Sequence, residues 1–132
     1  MADTYAQMEE REMSSANSIS ATAAVEELAN DTQVLLVDVR DTAEMEATGI
    51  GPNTVQAPGR AVAWMADQES EYRSLDLQNR SQRIFTTCGG SPSYRGAAAA
   101  NVLTAMGFKD VSYVDGGMAA LLAAGIQTNS PK

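Results

Sequence analysis

The sequence predicts an α/β domain with a parallel sheet covered by helices on both faces. Three observations predict it. Short apolar runs alternate with helical patterns along one chain of 132 residues. The run "VLLV" is unbroken, as suits a strand buried on both faces. Glycines close the helical segments at Gly49, Gly107 and Gly125.

Each element follows in order. Residues 1–17 are polar and lack a sustained apolar stripe, so they read as a flexible arm or a loosely docked helix. Ser20 is an N-cap candidate for a helix carrying Ala24, Val25 and Leu28 at helical spacing, and Asn30 is its stop. "VLLVDVRD" is a buried strand ending in an acid. "TAEMEATG" is a short helix ended by Gly49, and Thr54–Gln56 a brief strand in a turn-rich stretch. From Ala61 to Arg80 the pattern is helical and polar, with Trp64 and Met65 as its apolar anchors. Trp64 and Tyr72 are assigned to packing of that helix on the sheet, with the mouth of a pocket as the alternative. "RIFTT" is the next strand, Ala97–Met106 an alanine-rich helix, "VSYV" the last strand and "MAALLAAG" the last helix. Asp115, before two glycines, organises a turn.

Composition narrows function. The formal charge is −8, and residues 1–46 hold eleven acidic against two basic residues. The remainder is nearly neutral, without the clustered Lys and Arg that nucleic acid requires. No apolar run approaches the roughly 18 residues of a membrane span, and the polar start lacks a signal peptide's apolar core, so a cytoplasmic protein outside the membrane is expected. With no histidine and one cysteine, a structural zinc site is not expected, and Ser-His-Asp or Cys-His catalysis lacks its base. No cofactor or metal is implied.

In parallel sheets ligands bind beyond the C-terminal strand ends, where Asp38, Cys88 and Asp115 all fall. A thiol at such a place needs positive potential to ionise, and without imidazole three sources remain. The helix beginning near Gly96 aims its N-terminus at the loop. Gly89 and Gly90 allow an anion nest of inward N–H groups. Arg95 adds a permanent forked charge. Ser91 and Ser93 offer hydroxyl donors, and Pro92 restricts the loop. A lone cysteine among alanines is most often a small core residue. Paired glycines and a charge at the helix entry are features such a residue does not need.

The pieces "VLLVDVRD", "TTCGGSPSYRGAAAANVLTAMGF" and "KDVSYVDGGMAALLAAGI" occur in this order. With them the chain from Ile19 to Gly125 resembles a single-domain rhodanese (thiosulfate sulfurtransferase-like) module. The resemblance implies a three-layer α/β/α domain over residues 18–127, with a mainly parallel sheet of about five strands. Residues 1–17 are then the arm and 128–132 a C-terminal tail. It further implies that Cys88 takes a sulfane sulfur as a persulfide, that Gly89, Gly90, Ser91, Pro92, Ser93 and Tyr94 cradle it, and that Arg95 anchors an anionic donor or holds the loop itself. The implied partners are a small anionic sulfur donor such as thiosulfate and a thiol or cyanide-like acceptor, with an acceptor protein as an option. Asp38 and Arg40 are accessory candidates, an ion pair below the loop being the alternative.

The pattern departs from the family's at three places. Its sulfurtransferases usually have four residues between cysteine and arginine, and its phosphatases and arsenate reductases five; here there are six. The histidine often found before the third strand is absent, and Leu121 replaces the usual tryptophan. Two alternatives therefore stand beside sulfur transfer: a non-catalytic binding or regulatory module, and oxyanion chemistry on phosphate or arsenate. The last lacks an acid in the loop to protonate a leaving group.

Overall fold

The computed structural model describes residues 1–132. Its elements, in chain order, are α1 (Tyr5–Ser14), β1 (Asn17–Ile19), α2 (Ala21–Asn30), β2 (Leu35–Asp38), α3 (Thr42–Thr48), β3 (Thr54–Gln56), α4 (Val62–Ala66), a 3₁₀ turn (Leu75–Leu77), β4 (Arg83–Thr87), α5 (Arg95–Ala105), β5 (Asp110–Val114) and α6 (Gly117–Ala123). The five strands form one sheet in the order β1-β5-β4-β2-β3, and every pairing is parallel. The expected α/β/α architecture is present.

Alternation along the strands supplies both faces of the sheet. Val37, Ile84 and Val111 turn to one face, where they pack with Ala99, Ala100 and Leu103 of α5 and Val62 and Ala66 of α4. Leu36, Phe85 and Val114 turn to the other, against Ala24 and Leu28 of α2 and Met118 and Leu121 of α6. Leu36, Phe85, Leu103 and Leu121 are fully enclosed. Each contributes about 1.5–3 kcal/mol relative to exposure. The alanines of α5 let that helix approach the sheet closely, at the point where β4 ends in Cys88.

Ser20 caps α2, its hydroxyl accepting from the Ala23 N–H at 3.2 Å. Strand β1 has no counterpart in the sequence reading. It is a three-residue edge strand with two exposed positions, and it starts one residue before the expected domain boundary. Residues 5–14 of the arm are helical, with Asn101 of α5 donating to the Glu12 carbonyl at 2.9 Å and to its carboxylate at 2.7 Å. Ile50 and Asn129 exchange backbone hydrogen bonds, so part of the tail is tied to the domain.

The long helix expected over 61–80 is not formed. Only α4 and the 3₁₀ turn are helical there. Local side chains take backbone donors that a helix would use: Asp67 Oδ1 accepts from Glu69 N–H at 2.9 Å and Ser70 Oγ from Tyr72 N–H at 3.0 Å. Arg80 then donates to the Ala66 carbonyl at 2.9 Å, closing the end of α4. Trp64 and Tyr72 are exposed and do not anchor this segment; Val62, Ala66 and Leu77 do. No helix is long and apolar enough to cross a membrane.

Candidate active site

Cys88 directly follows β4, the central strand, and the six residues after it form a loop that ends where α5 begins. The start of α5 lies against the strand end. A Cβ on Gly96 would sit 3.3 Å from the Cys88 nitrogen, and Thr86 Oγ1 donates to the Gly96 carbonyl at 2.6 Å. The β5–α6 turn closes the other side. Met118 N–H donates to the Cys88 carbonyl at 2.7 Å and Ala119 N–H to the Gly89 carbonyl at 3.1 Å. Glycine meets glycine at this contact. Gly117 has φ +61°, and a Cβ there would lie 2.6 Å from Gly90 N and 2.7 Å from Cys88 O.

The expected loop residues are therefore together, and their roles differ in detail. Cys88 is 6% exposed, and its thiol donates to the Ser93 carbonyl at 3.5 Å. The N–H groups of Gly89, Gly90, Ser91, Tyr94, Gly96 and Ala97 make no backbone hydrogen bond, which leaves a set of donors around the loop. Ser93 Oγ accepts from Arg95 N at 3.3 Å and Nε at 2.9 Å. Pro92 offers its carbonyl to the Tyr5 hydroxyl, and the rings of Tyr5 and Tyr94 lie 5.3 Å apart. The Tyr5 phenol is held above its usual range by desolvation first, then by Glu9, Tyr94 and Cys88, with Arg95 opposing. Helix α1 thus reaches over the loop.

Arg95 is not a free cation. Its Nη2 bonds Glu44 Oε1 at 3.1 Å, and its Nη1 lies 3.5 Å from Asp41 Oδ1. Desolvation alone would raise the Glu44 carboxyl. The Asp41 N–H, the Arg95 hydrogen bond and charge, and the charge of Arg40 outweigh it and hold the group below the usual carboxylate range. Sequence reading missed Glu44 and Asp41. The acids absent from the loop come from the helix after β2, and the "DTAE" stretch carried the signal as a capping pattern: Glu44 Oε1 accepts the Asp41 N–H at 3.1 Å.

Asp38 and Arg40 lie below this site and do not line its cleft. Arg40 Nη2 is 2.9 Å from Asp38 Oδ2, with both side chains at most 2% exposed. Arg40 also donates to Thr48 Oγ1 at 2.9 Å and to the carbonyls of Glu44 at 3.3 Å and Gly49 at 3.1 Å. It fastens α3 to β2 and so fixes where Glu44 stands. Asp115 is exposed and its N–H donates to the Ile19 carbonyl at 2.9 Å, at the turn as expected. The cleft, about 1310 Å³, is bounded by the loop, Arg95, Asp41, Glu44, Arg60 and the apolar side chains of α4 and α5.

A parallel sheet whose central strand delivers a cysteine into a glycine-rich loop at a helix N-terminus defines a cysteine-loop α/β domain. Residues 21–124 match the model of the rhodanese-like domain, and the chain belongs to that family. A Rhodopseudomonas palustris protein of unknown function, a possible tyrosine phosphatase, superposes with a TM-score of 0.86 at 25% identity, over 98% of this chain and 96% of that one. The polysulfide-sulfur transferase of Wolinella succinogenes superposes with a TM-score of 0.71 at 20% identity, over 95% and 86%. A thiosulfate sulfurtransferase from Pseudomonas aeruginosa gives a TM-score of 0.72 at 19% identity, over 95% of this chain and 22% of that one. At these identities the last two show likeness of fold. No curated protein matches the sequence.

Proposed function

We propose that the protein is a sulfurtransferase that carries a sulfane sulfur as a persulfide on Cys88. The observation that carries the proposal is a thiol at the end of the central strand, followed by a loop in which the N–H groups of Gly89, Gly90, Ser91 and Tyr94 make no backbone hydrogen bond. Such donors favour the anionic sulfur forms that the reaction needs. Membership of the rhodanese-like family supports the same reading.

The chemistry balances without a cofactor. Cys88 loses its proton to solvent, and the thiolate attacks the outer sulfur of the donor. The new S–S bond forms as the bond to the donor remnant breaks, and the electron pair leaves on that remnant, sulfite in the case of thiosulfate. An acceptor thiolate or cyanide then attacks the outer sulfur, and the pair returns to Cys88 as thiolate. Gly89 to Tyr94 form the cradle, and Arg95, paired with Asp41 and Glu44, braces it where α5 begins. The setting is the cytoplasm.

Intact mass after incubation with sulfane donors tests this directly. One added sulfur is expected on the native chain and none on Cys88→Ser. No adduct from any donor, with a thiol that still alkylates, overturns the proposal. The low exposure of Cys88 and its bond to the Ser93 carbonyl favour a second reading, a non-catalytic binding module. That module would keep its biological activity in Cys88→Ser. Phosphate or arsenate chemistry ranks below both, because Arg95 is already paired with two carboxylates. Hydrolysis of p-nitrophenyl phosphate dependent on Cys88 would reverse that order.

A further inference from the structure

The cation that would meet an anionic donor at the Cys88 loop is neutralised from within the chain. Glu44 and Asp41 take both terminal nitrogens of Arg95, and Ser93 Oγ takes Nε. The Glu44 carboxylate also lies against the residue that follows the thiol: a Cβ on Gly89 would be 3.0 Å from Glu44 Oε2. Glu12 adds a third carboxylate to the cleft, and Arg60 is the other cation lining it. Three carboxylates against two guanidinium groups oppose a dianion approaching Cys88. The cleft wall beside them is organic in character, formed by Val62, Ala63, Ala98 and Val102 with the Tyr5 ring. Such a wall offers contact to a carbon skeleton and nothing to a small inorganic dianion.

We infer that Glu44 makes the Cys88 loop selective for persulfides of small organic thiols over dianionic thiosulfate. The inference rests on the sulfurtransferase reading and names its donor class. In the favoured step the Cys88 thiolate attacks the terminal sulfur of R–S–SH. The Cys88 S–S bond forms, the S–S bond of the donor breaks, and the electron pair leaves on R–S⁻, which takes up a proton. Only one negative charge then passes Glu44 on release. With thiosulfate the departing sulfite carries two.

The test measures loading of Cys88 by intact mass on the full chain, with thiosulfate and with cysteamine persulfide as probes. Persulfides are intrinsically reactive, so the ratio of the two rates and its change on substitution is the readout. Glu44→Gln is expected to shift the ratio toward thiosulfate on the order of five- to tenfold, through KM for thiosulfate rather than kcat. Asp41→Asn, which removes the other partner of Arg95, shifts it in the same direction. Glu44→Asp restores the native preference, and added salt narrows the gap between native and Glu44→Gln. A ratio that stays constant across these variants, or equal losses with both probes, overturns the inference and leaves sulfur transfer standing. Absence of any adduct from either probe on an accessible thiol takes down both.

Discussion

Glu44 and Arg95, 51 residues apart in the chain, meet at 3.1 Å, and the same Glu44 oxygen accepts the Asp41 N–H. One carboxylate therefore both caps α3 and fixes the arginine at the entry to α5. Glu44 thereby links α3 to the end of the cysteine loop, beside the backbone bonds that the β5–α6 turn makes to it.

This pair predicts a pH dependence. The Glu44 carboxyl is held below the usual range, by the Asp41 N–H and by Arg95 against desolvation. Its contribution is fully present above the ordinary carboxylate pKa and is lost as pH falls through the lowered folded value. The native chain should thus be more stable than Glu44→Gln near neutrality, and the two should converge in acid. Denaturant midpoints at several pH values check this; a constant difference down to low pH would contradict it.

Arg40→Met should destabilise the domain by about 3–5 kcal/mol, because it leaves Asp38 buried without its partner. Arg11→Ala breaks an exposed pair with Asp3 and should change stability by about 0–1 kcal/mol. Urea unfolding of both variants gives the comparison.

Gly117→Ala and Gly125→Ala separate backbone strain from collision. Both glycines have positive φ, +61° and +88°. Nothing lies within 4 Å of a Cβ at Gly125, so only strain of about 1–3 kcal/mol is expected there. At Gly117 the methyl strikes Gly90 and Cys88, so the loss of stability should be larger and sulfur loading should fall with it. Equal destabilisation with intact loading would show that the turn does not shape the loop.

Tyr5→Ala should expose the thiol. The Tyr5–Tyr94 pair and the bond to the Pro92 carbonyl hold α1 over the loop. Their loss should raise the rate of Cys88 alkylation by iodoacetamide on the order of tenfold. An unchanged rate would mean that the loop itself, and not α1, limits access.

Strands β2 to β5 and the Cys88–Arg95 loop were legible because their signals are local: an apolar run, a glycine pair, a charge at a helix entry. The remainder depends on partners far along the chain or on local side chains that compete for backbone donors. Strand β1 is "NSI", with no apolar pattern, and is a strand only because Asn17–Ile19 pair with Ser112–Val114. The segment 61–80 has helical spacing, but Asp67 and Ser70 supply competing local bonds and Arg80 closes α4 at Ala66. Arg95 read as an anchor for an anionic donor or for the loop itself, and the choice stayed open because nothing near it in sequence is acidic. Its neutralisation by Asp41 and Glu44 exists only once α3 and α5 are side by side.

The β5–α6 turn also gives this protein a timetable. Met118 and Ala119 N–H groups tie down the Cys88 and Gly89 carbonyls, and Gly117 fits against Gly90. During synthesis the chain emerges from its N-terminus, so the cysteine loop is made before the turn that fastens it. Until residue 119 has left the ribosome and docked, the Cys88 loop lacks its backbone anchors, and pulse alkylation of arrested chains of increasing length would read the moment they form.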